Sequence, residues 1–331
     1  MRRSHLISLF ILFAAVSVLI VVMAATGKSP RGKIAQPTAS PILSNPTEIP
    51  QTATTEPTEE PTQEITEEPT EEPTPTPVTR PVITASDFSN YSTKSAEWNV
   101  SSSLQNSEDP ESREYYIDKE ILAVVDGFSY LYRDSTEGAK NIFLTFNLAY
   151  EDKDKTTLKI IDTLNKNGVK AAFFVSANYL NENPDVIKAM AESGHLVGSR
   201  GDIFARGGSG TGMTYLGTAD FSDTLWAMEE AYQQLAGENT RMLYYRPDKV
   251  SPRDMAVAEA MGYTVTFRSF NYYDWDDSVD RNQALRKLLD NTCSGAIYQL
   301  SSSKVNAEIL EDYIIAVKDR GYSFASLSDA K

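Results

Sequence analysis

Short apolar runs alternate with amphipathic helical segments from residue 141 onwards. The predicted strands are Ile142–Phe146, Ala171–Val175, His195–Ser199, Met242–Tyr245, Thr264–Phe270, Ala296–Leu300 and Tyr322–Leu327. The predicted helices are Lys155–Asn167, Pro184–Ser193, Phe221–Leu235, Pro252–Met261, Arg281–Asn291 and Ala307–Lys318. Strand–helix alternation at this spacing is typical of a parallel sheet, either a barrel or a doubly wound sheet. In both architectures, functional side chains lie at the carboxyl ends of the strands.

Capping signals mark several of the predicted helix ends. Asn183 stands before Pro184, and Ser251 stands before Pro252, which is the order of N-cap and first helical residue that helices favour. Gly168 follows the first predicted helix, where a glycine commonly ends the helical turn. These signals predict where the first, second and fourth of the helices begin or end.

The scarcity of two residue types restricts the chemistry. The chain has one cysteine, Cys293, which rules out a disulfide framework and a cysteine-rich metal site. Its two histidines are His5 and His195, so a paired-histidine metal site cannot be built within one folded domain. The formal net charge of −15 would repel a phosphate backbone, so nucleic acid is not an expected partner.

The N-terminal segment, residues 1–27, carries a membrane signal. Arg2 and Arg3 precede an uncharged apolar stretch, and about 20 such residues span the ~30 Å of hydrocarbon in a bilayer. The positive end stays cytoplasmic, so the rest of the chain is expected outside. Residues 6–26 form either a retained signal anchor, giving a single-pass membrane protein, or a signal peptide cleaved after Ala24, giving a secreted one.

A Thr/Pro/Glu-rich segment, residues 28–82, follows the membrane signal. The tetrapeptide Glu-Glu-Pro-Thr recurs in it, and 12 of the 16 prolines lie between Pro30 and Pro81. Such a segment has too few apolar side chains to offset the entropy lost on ordering, so we expect a disordered, extended linker. It would act as a spacer for an N-terminal extension at 83–140 and a main domain at 141–331.

The sequence of the main domain resembles the polysaccharide deacetylase family, which is carbohydrate esterase family 4 with the NodB-homology domain. The resemblance is carried by the motifs Thr145–Glu151, Ala171–Val175, Gly194–Gly198, Tyr245–Pro247, Ser269–Trp275 and Gly321–Phe324. The nearest branch is the muramic acid de-N-acetylases of δ-lactam biosynthesis. The resemblance implies a (β/α) barrel of the NodB type, distorted and seven- or eight-stranded.

The resemblance also implies metal-dependent removal of N-acetyl groups. In the family, one aspartate and two histidines hold a divalent metal, a second aspartate is the base and a histidine is the acid, as in metal-assisted hydrolysis generally. In this sequence the base position is Asn147 and the acid position is Ser301. The three ligand positions are Leu148, Arg200 and Phe204. All five roles are therefore vacant, so we expect no metal cofactor and no deacetylase activity.

Two residues outside these roles keep the family pattern. Arg246 matches the arginine that orients the base, and Asp274 matches the carboxylate that pairs with the acid histidine. Because a lone buried charge is costly, each needs a new partner, and Arg200 is predicted to pair with Asp274 or Asp202. His195 matches a position that is not a ligand, and it is predicted to be a hydrogen-bonded core residue.

Several residues are candidates for sugar contact. They are Tyr150, Arg200, Asp202, Tyr272, Tyr273 and Trp275, with Arg246 and Asp274 as further candidates for contacts to hydroxyl or acetamido groups. The alternative is that they are inherited packing residues. The glycine-rich run 207–212 lacks the Lys-Ser/Thr of a phosphate-binding loop and is predicted to be a flexible loop beside the groove.

Three functional hypotheses follow. The first is an inactive deacetylase-like protein, displayed outside the membrane, that binds or scaffolds cell-wall glycan of the peptidoglycan type. The second is a rewired metal-dependent glycan N-deacetylase that uses carboxylates such as Glu151, Asp152 and Asp202 as ligands, because carboxylates bind hard cations. The third is a protein-interaction module with a protein partner, using the barrel as a scaffold.

Overall fold

The computed structural model describes residues 81–84, 86–102, 111, 115–149, 155–200, 204–206, 213–215, 218–276 and 278–331. The predicted membrane segment, residues 28–80 of the predicted linker and the glycine-rich run 207–212 lie outside these residues. Within them, no helix has the length and apolar composition that a membrane crossing requires.

Short strands run through the whole of the described domain. They are β1 (Ala96–Glu97), β2 (Val100–Ser102), β3 (Tyr115–Ile117), β4 (Tyr130–Leu131), β5 (Asn141–Leu148), β6 (Ala172–Val175), β7 (Leu196–Ser199), β8 (Phe204–Arg206), β9 (Met213–Tyr215), β10 (Tyr244–Tyr245), β11 (Lys249–Val250), β12 (Thr264–Thr266), β13 (Phe270–Asn271), β14 (Ile297–Ser301) and β15 (Ser323–Phe324). The eight-residue β5 is the longest, and its inner positions are buried on both faces, as is usual for a central parallel strand.

The main sheet is parallel and curled into a half-barrel. Its strand order is β13-β14-β5-β6-β7-β10-β12-β4, with β15 added beside β5, and every pair is parallel. The ends of this path approach each other, because Arg133 bridges to Ala296 and the Ser269 hydroxyl donates to the Tyr132 carbonyl at 2.5 Å. The α/β architecture expected from the sequence is present.

Helices cover the outside of this sheet. They are α1 (Lys119–Val125), α2 (Thr156–Lys166), α3 (Ala177–Glu182), α4 (Pro184–Glu192), α5 (Thr218–Ala236), α6 (Pro252–Ala260), α7 (Arg281–Asp290) and α8 (Lys304–Asp319), followed by a 3₁₀ turn at Leu327–Asp329. Apolar faces of α2, α4 and α8 pack on the sheet and supply much of the core.

Both predicted N-cap positions are confirmed, but only one of them caps its helix through the side chain. Ser251 caps α6 through a capping box in which its hydroxyl and the Asp254 carboxylate bond each other's backbone N–H groups. Asn183 makes no side-chain cap on α4; its amide instead donates to the Tyr179 carbonyl at 3.0 Å. The reason is that α3, which the sequence reasoning missed, ends at the same residue and uses its side chain.

His195 lies at the amino end of β7, on the opposite edge of the sheet from the strand's carboxyl end. It is 4% exposed, and its Nδ1 accepts a hydrogen bond from the Ala171 N–H at 3.3 Å. Burial and the nearby charge of Lys170 lower the pKa of His195 from 6.5 to about 4. The folded protein therefore holds this ring neutral, in a position that contributes to packing.

This pKa predicts how stability depends on pH. Because the folded-state pKa is depressed, the unfolded chain binds a proton first as pH falls, so stability is lost from about pH 6.5 down to about pH 4. The loss amounts to about 3 kcal/mol. His195→Asn cannot titrate, so urea unfolding at about pH 7 and about pH 4 should show a smaller loss in the variant by this amount. Equal losses in the two proteins would contradict the assignment.

Candidate functional site

One edge of the curled sheet collects the polar residues of interest. Asn147, Arg200, Arg246 and Ser301 lie at or directly after the carboxyl ends of β5, β7, β10 and β14, and Asp274 follows β13 by a short loop. Since the strands are parallel, these ends meet at the same edge. Asn147 and Ser301 are direct register partners on β5 and β14.

A cavity of about 410 Å³ opens at this edge. Its lining comprises Asn147, Leu148, Ala149, Thr157, Tyr179, Arg200, Asn271, Tyr272, Asp274, Trp275, Gln299, Ser301 and Ser302. Most of the polar groups in this set are neutral amides and hydroxyls. The cavity therefore offers hydrogen-bond donors and acceptors to a polar ligand, and its described lining has only two charged side chains.

Arg246 lies buried directly behind the cavity floor. Its Nη1 donates to the Thr145 hydroxyl at 2.6 Å and to Asn147 Oδ1 at 3.3 Å. Its Nε and Nη2 donate to the backbone carbonyls of Thr266 and Phe267 at 3.2 and 3.3 Å. Each of these acceptors is neutral, although the guanidinium itself is a permanent cation in ordinary surroundings.

The surroundings of Arg246 oppose its charge. Its guanidinium lies 3.9 Å from the centre of the Phe174 ring, a cation–π contact that partly compensates for lost water. Gly198 allows this arrangement, because a Cβ there would come within 2.9 Å of the same ring. Burial, followed by the like charges of Arg268 and Arg200, lowers the pKa of Arg246 well below its ordinary value. The positive charge of Arg246 is thus stabilised by the dipoles of its neutral hydrogen-bond acceptors and by the face of the Phe174 ring.

Asp274 is satisfied by neutral donors. Its carboxylate accepts hydrogen bonds from the Ser301 N–H, the Ser301 hydroxyl and Asn306 Nδ2, each at 2.7 Å. Asn306 is 1% exposed and in turn accepts from the Tyr272 hydroxyl at 2.5 Å. Burial raises the pKa of Asp274, and the hydrogen bonds from Ser301 and Asn306 oppose that rise. Ser301, the predicted counterpart of the family's acid histidine, therefore lies against Asp274 and adds no titratable group there.

The predicted pairing of Arg200 with Asp274 is wrong. Arg200 Nη2 forms an ion pair with Asp248 Oδ2 at 2.8 Å, near the protein surface, where Asp248 is 62% exposed. Asp274 has no need of a cation, because Ser301 and Asn306 already engage both of its oxygens. The other predicted partner, Asp202, lies outside the described residues.

The described aromatic candidates for sugar contact differ in exposure and in whether they line the cavity. Trp275 lines the cavity and is 61% exposed, and its ring packs edge-on against Tyr273 at 4.2 Å between centres. Tyr273 is 54% exposed and does not line the cavity; its hydroxyl bonds Asp276. Tyr272 lines the cavity but is buried. Trp275 thus presents an exposed aromatic ring at the opening of a polar cavity.

The two predicted ligand positions whose side chains the structure describes do not suit a metal ion. Leu148 has no donor atom and is 2% exposed, and Arg200 brings a cation. The oxygen of Asn147 is engaged by Arg246. In the part of the chain that the structure describes, no three His, Cys, Asp or Glu side chains are placed to share a metal. The donor set differs in kind from the nitrogen, sulfur and carboxylate ligands of catalytic zinc.

Some predicted site residues are not placed by the structure. Tyr150, Glu151, Asp152 and Asp202 lie outside the described residues. Phe204 begins β8, which pairs antiparallel with β9, and the description of β8 covers its backbone.

Two polar residues that support the site, Asn306 and Thr157, were not predicted from the sequence. Asn306 lies in the first turn of α8, and Thr157 lies in the first turn of α2. Thr157 shares its hydroxyl with Ser302 at 2.7 Å and accepts from Tyr179 at 2.9 Å. A polar residue on the apolar face of an amphipathic helix was the available signal for both, since such residues require a buried partner.

Comparisons with known proteins agree on one family. The family model for polysaccharide deacetylase matches residues 134–266. An uncharacterized 30.6 kDa protein of Geobacillus stearothermophilus is 35% identical over 197 residues, which is 57% of this chain and 70% of that protein. The peptidoglycan-N-acetylmuramic acid deacetylase PdaA of Bacillus subtilis is 29% identical over 221 residues, 64% of this chain and 78% of that enzyme.

Solved structures show the same fold. That of Bacillus subtilis PdaA, a family 4 carbohydrate esterase, has a TM-score of 0.61 at 26% identity and covers 72% of this chain and 97% of that one. A mutant of a Bacillus anthracis pseudoenzyme of the same carbohydrate esterase family, described as having restored enzymatic activity, has a TM-score of 0.54 at 18% identity. It covers 68% of this chain and 79% of that one.

Proposed function

Since this chain belongs to the polysaccharide deacetylase family, with the NodB-type fold, we propose that it binds cell-wall glycan of the peptidoglycan type without deacetylating it. The observation that supports the proposal is that the predicted base and acid positions carry neutral side chains, Asn147 and Ser301, which are already hydrogen-bonded. Ser301 and Asn306 satisfy Asp274, and the amide of Asn147 takes the place of a base. An amide has no proton-accepting role in hydrolysis at neutral pH.

The cavity supports glycan binding through its lining. Sugar hydroxyl and acetamido groups need both donors and acceptors, and Asn271, Gln299 and Ser302 supply them around the opening. Trp275 adds an exposed ring beside them. The relative PdaA acts on peptidoglycan, which makes the same polymer the first ligand to test.

We further propose that the domain works outside the cell membrane. Residues 6–26 would hold the chain to the membrane, with secretion as the alternative, and the linker at 28–82 would give the domain reach into the wall. A polyproline II chain rises about 3.1 Å per residue, so this linker spans on the order of 170 Å when extended.

Trp275→Ala tests the proposal. Removing an exposed aromatic anchor is expected to cost about 1–2 kcal/mol, which is roughly a five- to thirtyfold loss of affinity for soluble muropeptides measured by calorimetry. Tyr116→Ala is the matched control, because Tyr116 is 52% exposed and does not line the cavity. Failure of the unmodified protein to bind any peptidoglycan fragment would refute glycan binding and favour a protein partner. Equal affinity for the glycan in the unmodified protein, Trp275→Ala and Tyr116→Ala would show that the glycan does not contact Trp275.

A further inference from the structure

The N-terminal extension contributes a buried tryptophan to the main domain. Trp98 directly follows β1 and is 3% exposed. Its ring stacks on the Phe267 ring, with 4.1 Å between centres and 6° between planes, and it also contacts the rings of Tyr130 and Tyr132. Its Nε1 donates to the Arg268 carbonyl at 2.8 Å, and its own carbonyl accepts from Arg268 Nη2 at 3.3 Å. Trp98 is therefore fixed to the segment that follows β12.

The end of β12 and the residue after it carry two of the acceptors that hold Arg246. Arg246 Nε and Nη2 donate to the backbone carbonyls of Thr266 and Phe267. Among the described residues Arg246 has no carboxylate as hydrogen-bond partner, so its position depends on where these neutral dipoles point. Arg246 Nη1 in turn donates to the Asn147 oxygen, and Asn147 lines the cavity. A displacement of Phe267 would thus reach the Asn147 amide through one side chain.

β1 also holds the segment that pairs with Arg200. β1 and β11 form a two-stranded antiparallel sheet in which Glu97 lies opposite Lys249, and the two side chains form an ion pair at 2.8 Å. Asp248 lies directly before β11 and pairs with Arg200, which lines the cavity. The three residues Ala96–Trp98 therefore contact both segments on which the two arginines depend.

The charges behind the cavity make this positioning sensitive. Burial lowers the pKa of Arg246, and the like charge of Arg268 is the next cause. Burial also lowers the pKa of Arg268, while the carboxylates of Asp248 and Glu97 oppose that shift. Two cations kept from water near each other are stable only with their acceptors in place. The Trp98 carbonyl is one of these acceptors, so its loss is expected to displace both guanidinium groups.

We propose that the segment Ala96–Trp98, which we call the clasp, positions Arg246 and Arg200 and so sets the affinity of the cavity for its ligand. Trp98 does not line the cavity, so it is a positioning residue that acts through the two arginines. The inference rests on the proposed function where it concerns affinity, because that readout needs the glycan. The position of the Asn147 amide gives a second readout that needs no ligand.

The first test follows the cavity in the full chain without ligand. Trp98→Ala should shift or broaden the NMR signals of the Asn147 side-chain amide and of the Arg246 Nε–H group. Trp98→Phe keeps an aromatic ring to stack on Phe267, so it should restore most of the original signals. If Trp98→Ala does not fold, Trp98→Leu keeps a buried apolar side chain and should show the same displacement.

The second test measures affinity for soluble muropeptides by calorimetry. Trp98→Ala is expected to weaken binding about tenfold, and Trp98→Phe about threefold or less. Ile187→Ala is the matched control, because Ile187 is fully buried in α4 and does not line the cavity. This substitution lowers the melting temperature by leaving a cavity in the core, but it is expected to change the affinity by no more than about twofold.

The outcomes separate this inference from the proposed function. Unchanged Asn147 and Arg246 signals in the Trp98→Ala protein overturn the clasp, whatever the protein binds. Equal changes in the Ile187→Ala protein also overturn it, because they would reflect a general loss of packing. Altered signals with unaltered affinity overturn the claim that the clasp sets affinity. If the unmodified protein binds no muropeptide, the proposed function is refuted, and the NMR comparison still decides whether the clasp positions the arginines.

Discussion

Five substitutions made together are expected to give this protein metal-dependent acetate release, whereas Asn147→Asp alone is expected to give none. The combined variant carries Asn147→Asp, Leu148→Asp, Arg200→His, Phe204→His and Ser301→His, which supply the base, the three metal ligands and the acid that the family resemblance implies. Acid, base and ligand groups act as a unit, so their effects are strongly non-additive. A single general base contributes about 10²–10⁴ in rate, and it needs the other groups to act on.

The restored variant should also change its stability. Leu148 is 2% exposed, so Leu148→Asp buries a carboxylate, and zinc should stabilise the folded variant by binding it. We expect its melting temperature to rise with added zinc, while that of the unmodified protein stays constant. Leu243→Asp, at a residue 44% exposed, is the control for an added carboxylate. Acetate release by the Asn147→Asp protein, or its absence from a combined variant that folds and binds zinc, would contradict this account.

Removal of the Asp274 carboxylate is expected to destabilise the domain strongly. Asp274→Ala leaves the Ser301 N–H, the Ser301 hydroxyl and Asn306 Nδ2 without their acceptor in a buried region. Unsatisfied buried donors cost about 1–3 kcal/mol each and do not add fully, so we expect a loss of about 3–5 kcal/mol in the free energy of unfolding. Chemical denaturation with guanidinium chloride measures it.

Asp276→Ala provides the control for that loss. Asp276 lies in the same loop, and its hydrogen bonds with Tyr273 and Ser278 are at the surface. Its removal is expected to cost about 1 kcal/mol or less. If Asp274→Ala costs no more than Asp276→Ala, then Asp274 is not the buried centre of this network.

Much of the fold could be predicted from the sequence, because a long helix or strand shows several repeats of its hydrophobic pattern. The helix predicted at Arg281–Asn291 is observed at Arg281–Asp290, and the strand predicted at Ala296–Leu300 is observed at Ile297–Ser301. Strands of two or three residues, such as β4 at Tyr130–Leu131, are too short to show a period and were missed.

The site was predicted in part. The sequence shows where a residue lies along a strand, but it does not show which side chains form ion pairs or hydrogen bonds with each other. The resemblance and the strand ends together brought Asn147, Arg246 and Ser301 to one edge. The partner of Arg200 could not be read, since Asp248 is close to it in space but lies 48 residues away in the sequence. Asn306 was missed for the same reason, because its role depends on how α8 packs beside β14.

The central claim is that the unmodified protein does not deacetylate its glycan. The direct measurement is acetate released from muramyl and chitooligosaccharide substrates by the full chain, with Zn²⁺, Co²⁺ or Mn²⁺ supplied. We predict release equal to that of the reaction without protein. Metal-dependent release that disappears with Asp202→Ala or Glu151→Ala would contradict the claim and establish a rewired hydrolase.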